Sequence, residues 1–148
     1  MVLEIRGNRI VQSNSGVLKT LKTLTRFLIY ASILLGATLL VELYAVVPVW
    51  LFYSVLAGWV AYLITAVAIA KDLKIAYPLS LVLAVLTLAV SLPQPEHHSL
   101  VEAGASPASV TFIVGSVLQV AVILTVSIYL ALTRRMSGKG LPQDSLYT

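Results

Sequence analysis

The apolar positions of this chain fall into long runs, and the polar residues between them gather in short clusters. The range 27–70 holds 44 residues and a single charge, Glu42. As one helix it would be about 66 Å long, roughly twice the hydrocarbon thickness of a bilayer, so it reads as two helices folded back on each other. The break is expected between Glu42 and Pro48, where Glu42, Tyr44, Pro48 and Trp50 collect. Pro48 suits a first helical turn, where its missing N–H would be unpaired anyway, and Tyr44 and Trp50 suit the aromatic belt of a membrane boundary. The first span is then about 25–46 and the second about 48–70. Lys71-Asp72-Leu73-Lys74 ends that run. A third span, about 75–92, carries Pro78 in its first turn and stops at Pro93-Gln94-Pro95. At 18 residues it barely crosses, and it should stand near the membrane normal or thin the bilayer. The fourth span, about 109–132, precedes Thr133-Arg134-Arg135. The pattern predicts an all-α membrane protein, four transmembrane helices packed as an up-down-up-down bundle.

Composition supports a lipid environment. The chain is 59% hydrophobic and 11% charged, against roughly 45–50% and about 25% in soluble domains. That leaves too few charges to clothe a soluble exterior. The net charge of +4 lies next to apolar spans, so its expected counterpart is anionic lipid headgroups and not nucleic acid. The absence of cysteine removes disulfides, thiolate metal sites and thiol redox chemistry. The first apolar stretch exceeds the roughly 7–15 residues of a signal-peptide core, so no cleavable leader is expected.

The placement of the basic residues predicts orientation. Arg6, Arg9, Lys19, Lys22 and Arg26 precede the first span, Lys71 and Lys74 follow the second, and Arg134, Arg135 and Lys139 follow the fourth. The other two loops have no Lys or Arg and hold Glu42, Glu96, Glu102, His97 and His98. By the positive-inside rule both termini lie in the cytoplasm, with the protein multi-pass in the cell membrane. An odd number of spans would scatter these charges over both faces.

Residues 1–15 read as a basic cytoplasmic tail. Within it, Gly7-Asn8 between β-favouring runs could form a hairpin loop, though two strands alone are marginal in water and Arg6 would face Arg9. Ser13-Asn14-Ser15 can cap a helix. Beyond it Lys19, Lys22 and Arg26 share a face beside Leu18, Leu21 and Leu28, which predicts an amphipathic approach segment on the headgroups. Residues 133–148 read as a flexible polar tail.

Lipid is as apolar as Leu, so close packing of small residues and interhelical hydrogen bonds must hold the spans together. Each span carries such a stripe: Ser32 and Gly36; Ser54, Gly58, Ala61, Thr65 and Ala68; Ser80, Ala84, Thr87 and Ser91; Thr111, Gly115, Gln119, Val122, Thr125 and Tyr129. These should line the bundle interior or face another subunit.

Glu42 is the one ionisable residue inside a long apolar stretch, where a charge is costly and usually functional. It is therefore a coupling candidate, with Gln119 as a possible pathway residue or an interhelical hydrogen-bonding residue. In the outer loop, His97, His98 and Glu102 are weak metal candidates: on a helix His98 and Glu102 would share a face able to hold Zn²⁺ or Cu²⁺, but the prolines favour a solvated irregular loop. No span contains a histidine for haem, and no nucleophilic triad, phosphate loop or carboxylate pair is visible. The expected protein is thus a non-catalytic accessory or interaction subunit without cofactor, partnered by other membrane subunits or its own copies. The alternatives are a small oligomeric proton-coupled transporter or channel using Glu42, and a metal- or redox-linked enzyme using the loop histidines.

Overall fold

A computed structural model describes residues 2–44, 47–93 and 107–137, with side chains from residue 16 onward except at 108. The described residues form four α-helices: α1 (Val2–Leu43), α2 (Val49–Ala70), α3 (Ala76–Ser91) and α4 (Pro107–Ser137). α1, α2 and α4 each contain a stretch long and apolar enough to cross a membrane, and α3 is a shorter apolar helix. The 16 residues of α3 rise about 24 Å. α1 packs on α2 and α4, and α3 packs on α2 and α4. The four helices therefore form a closed ring with α1 opposite α3.

Helix ends fall close to the sequence signals. α1 stops at Leu43, three residues before the expected end of the first span. Pro48 stands just ahead of α2 instead of within its first turn, with φ −55° and ψ 143°. Its carbonyl accepts the N–H groups of Leu51 at 3.0 Å and Phe52 at 3.2 Å. The Tyr44 and Phe52 rings meet edge-on at 5.7 Å across this turn. α4 runs to Ser137, five residues past the expected end of its span.

Residues 2–15 belong to α1 and form neither a hairpin nor a separate element. A two-residue turn signal needs a sheet to reward it, and nothing between Val2 and Leu43 breaks a helix as proline would. The approach segment and the first span are thus one helix of 42 residues. Its lower part is held by tertiary packing: Leu18 joins the same buried cluster as Met136 of α4, with Leu21 and Leu132 packed beside them.

Lys19, Lys22 and Arg26 of α1, Lys71 and Lys74 of the α2–α3 turn, and Arg134 and Arg135 of α4 share one end of the bundle, the basic end. The α1–α2 turn lies at the other, here the hairpin end. In the basic half the ring is tightly filled. Ile29, Ile69, Ala76, Ala84, Val122 and Val126 are fully buried, together with Thr25, Thr65 and Ser80. Phe27, Leu34, Val41, Ile64, Val117 and Leu124 are more than half exposed, which gives the outside an apolar girdle with lipid as its natural solvent.

Candidate functional site

Toward the hairpin end the small-residue stripes leave space between the helices, a cavity of about 310 Å³. Its walls are mainly apolar, from Leu35 and Leu39 of α1, Leu83 and Leu86 of α3, and Phe112 of α4. Ser54 on α2 and Leu86 and Val90 on α3 line it and are exposed, so it opens on the side of α2 and α3. Gly58 and Gly115 also line it, and a Cβ at either would meet no atom within 4 Å. The space exists because the stripe residues here are small and nothing from the facing helix fills the gap.

Toward the basic half, polar side chains bond across the ring. The Tyr62 hydroxyl of α2 donates to Gln119 Oε1 of α4, and Gln119 Nε2 donates to Ser32 Oγ of α1 at 3.4 Å. All three residues are buried, and where water is absent a polar group is tolerable only with such a partner. Beyond them the packed basic half closes the bundle, so the cavity ends blind.

Trp59 forms a second crossing contact. Its indole N–H donates to the Ile33 carbonyl of α1 at 2.9 Å. The ring can lie this close because the α1 residue beneath it is Gly36, where an added Cβ would come to 2.8 Å from Trp59 Cδ1. The other stripe hydroxyls behave differently from expectation. Thr65, Thr87, Thr111 and Ser54 donate to the carbonyl four residues back in their own helix, and Ser80 to the carbonyl three back. A helix carbonyl is always in reach of a Ser or Thr on the next turn, so these residues act mainly through small size, and, apart from a long contact of Thr111 with Glu42, the crossing bonds come from Trp59, Tyr62 and Gln119.

Glu42 is the penultimate residue of α1 and is half-buried. It continues the α1 face that lines the cavity, since Ser32, Leu35, Gly36 and Leu39 precede it at spacings of three and four. Thr111 Oγ1, which gives its proton mainly to the Pro107 carbonyl at 2.9 Å, lies 3.4 Å from Glu42 Oε1, and Oε2 is buried without a hydrogen-bond partner among the described residues. Sixteen residues separate it from Arg26, about 24 Å along the helix. With the basic residues at one headgroup layer, Glu42 comes close to the other and not to mid-bilayer. Gln119 lies near the middle of its span. Gln119 thus lines the cavity, whereas Glu42 meets it only through Thr111, and the two candidates are not in contact. His97, His98, Glu96 and Glu102 lie outside the described residues, and among the described residues no group of three metal-ligating side chains occurs.

No family model, curated protein or solved structure matches this chain.

Tyr62 and Asp72 carry roles that the sequence pattern did not assign to them. Tyr62 follows Gly58 by four residues and precedes Thr65 by three, and that spacing on an inward stripe is a legible sign of a buried hydroxyl. Asp72 lies at the basic end, where it pairs with Lys22 at 2.9 Å and with Arg26. These bonds, Lys22's first, hold its carboxyl below the usual carboxylate range.

Proposed function

We propose that this protein is a non-catalytic accessory or interaction subunit of the cell membrane, crossing the bilayer four times with both termini in the cytoplasm. The observation that carries this reading is the use made of the interior polar groups. Most stripe hydroxyls are tied to their own helices, and Trp59, Tyr62, Gln119 and Ser32 are tied to one another's helices. These groups have a structural task. What the protein presents outward is a broad apolar girdle and a basic end. Lys and Arg concentrated at one end favour the cytoplasmic leaflet, whose anionic headgroups attract such residues by about 1 kcal/mol each near the surface. The girdle suits lipid, a second copy or another membrane protein.

The test is photocrosslinking in cells from a benzophenone side chain placed at Leu34 or Ile64, both well exposed. A discrete adduct with one other membrane protein, or with a second copy, is expected. Adducts to lipid alone, together with proton-driven flux in liposomes that Glu42→Gln abolishes, would replace this reading with transport. One observation favours that second reading: Glu42 keeps a buried oxygen without a partner beside a cavity. The blind end of the cavity weighs against an open channel in this conformation.

A further inference from the structure

The hydroxyls in the cavity wall have already given their protons to the protein. Ser32, Ser54, Thr87, Thr111 and Ser116 each donate to the carbonyl four residues back in their own helix, and Tyr62 donates to Gln119 Oε1. A hydroxyl oxygen that donates keeps lone pairs with which to accept. The wall therefore presents acceptors to whatever fills the space. Gln119 adds the complementary group. Its amide carries two N–H bonds, and Nε2 spends one of them on Ser32 Oγ. Tyr62, Thr87 and Gln119 meet at the deep end, where Thr87 of α3 stands beside the Tyr62 hydroxyl.

The rest of the cavity fixes the charge, size and route of a ligand. Among the described residues no Asp, Glu, Lys, Arg or His lines it, so a charged group would lose its hydration with no ion to replace it. An apolar cavity of about 150 Å³ takes benzene, so one about twice as large takes roughly twelve non-hydrogen atoms. This cavity has about 310 Å³. It opens between α2 and α3, beside Leu86 and Val90 on the apolar girdle, so its ligand arrives from the bilayer. An acyl chain entering tail first would set its methyl end against the Gln119 amide and leave the second N–H unanswered. A hydroxyl group answers both features of the deep end, because it donates and accepts at one atom.

We infer that this cavity is a binding site for a neutral, membrane-soluble alcohol. The ligand hydroxyl donates to Thr87 Oγ1 and accepts from Gln119 Nε2, and its apolar body fills the space out to the opening between α2 and α3. The site is built from the four helices of one chain and uses neither a partner subunit nor Glu42. It therefore stands or falls separately from both readings above.

Trp59 lines the cavity and is a built-in reporter. The chain has two tryptophans, Trp50 and Trp59, and Trp50→Phe leaves only the one in the cavity. In lipid nanodiscs this variant is titrated with para-bromophenylbutanol, whose bromine quenches indole fluorescence. Two compounds with the same apolar body serve as controls: para-bromobutylbenzene, which lacks the hydroxyl, and para-bromophenylbutylamine, which is charged. Affinities are compared at equal mole fraction in the bilayer. The alcohol should quench saturably above the linear partitioning background and bind at least about threefold more tightly than the hydrocarbon, the factor expected for one buried hydrogen bond. The amine should bind more weakly than the alcohol. Gln119→Leu and the milder Thr87→Val should each lower the preference for alcohol over hydrocarbon. Gly58→Leu and Gly115→Leu, placed where open space can take the side chain, should remove saturable quenching with helix content unchanged. Quenching by the alcohol that never saturates would overturn the inference. So would equal affinity for alcohol and hydrocarbon, which is the behaviour of a slot for acyl chains, or tighter binding of the amine. An alcohol preference untouched by both Gln119→Leu and Thr87→Val, or saturable quenching that survives both glycine variants, would overturn it as well.

Discussion

At the scale of single residues, the membrane bundle is fixed by a few crossing contacts whose geometry is close. Trp59 and Gly36 are the clearest pair, because the indole both donates to Ile33 and occupies the space where any larger α1 residue would project. Gly36→Ala sets a Cβ 2.8 Å from Trp59 Cδ1, and overpacking of that kind costs about 1–3 kcal/mol. Thermal unfolding in detergent should show a lowered Tm, with a smaller loss when Gly36→Ala is made in a Trp59→Phe background, where the ring is smaller. A Gly36→Ala protein as stable as the parent would mean that the close approach does not bind the helices. The sequence placed Ser32, Gly36 and Gln119 on inward stripes, and the structure puts them there. It could not reveal partners, because a periodic stripe identifies a face and not what that face meets. The preference of Ser and Thr for the preceding turn was a local fact available from the start, and it outweighs the interhelical role first assigned to most of them.

At the scale of elements, the α2–α3 turn explains how the basic end is ordered. The N–H of Leu73 bonds to the Ala68 carbonyl and that of Asp72 to the Ile69 carbonyl, each at 3.0 Å. These are the two hydrogen bonds of a Schellman ending, with Asp72 at the left-handed position, φ 54°. Glycine is the usual occupant there because it carries no Cβ. Aspartate accepts the strain and in return ties the turn to Lys22 and Arg26 of α1. The magnitudes decide what substitutions do. A Cβ in the left-handed region costs about 1–2 kcal/mol, and an exposed ion pair is worth about 0–1 kcal/mol. Asp72→Ala keeps the strain and loses the pairs, so its Tm should fall. Asp72→Gly loses the pairs and the strain together and should stay near the parent, clearly above Asp72→Ala. The reverse order would refute the Schellman account. Since the folded protein holds the Asp72 carboxyl below its ordinary value of 3.8, its contribution is complete above that pH and fades as pH falls through the lowered value. Asp72→Asn should flatten that part of the acid unfolding curve, and an unchanged curve would show that the pairs contribute nothing. The turn itself was plain from Lys71-Asp72-Leu73-Lys74, whereas the clamp was not, because Lys22 and Arg26 are some fifty residues away in sequence and meet Asp72 only once α1 and α2 are antiparallel. The unbroken course of α1 was missed for a related reason: Gly7-Asn8 signals a turn locally, and the packing of Leu18 against the α4 cluster is a property of the folded chain.

At the scale of the whole molecule, two gradients run along the bundle axis. Packing is complete at the basic end and opens into the cavity toward the hairpin end. Charge changes in the same direction, from a collar of Lys and Arg to Glu42, the one ionised side chain among the described residues of that end. The first gradient depends on side-chain volumes from four helices at once, which is why the cavity was not legible in the sequence. The second was legible in full, since it needs only the order of spans and charges. The central claim built on it is that the short helix α3 crosses the bilayer like its three longer neighbours and returns the chain to its starting side. The absence of natural cysteines makes this directly measurable with an impermeant maleimide on Tyr44→Cys, Lys74→Cys, Ser99→Cys and Ser137→Cys, each alone. Tyr44→Cys and Ser99→Cys should label in intact cells, and Lys74→Cys and Ser137→Cys only after permeabilisation. Labelling of Lys74→Cys and Ser99→Cys from the same side would contradict that crossing.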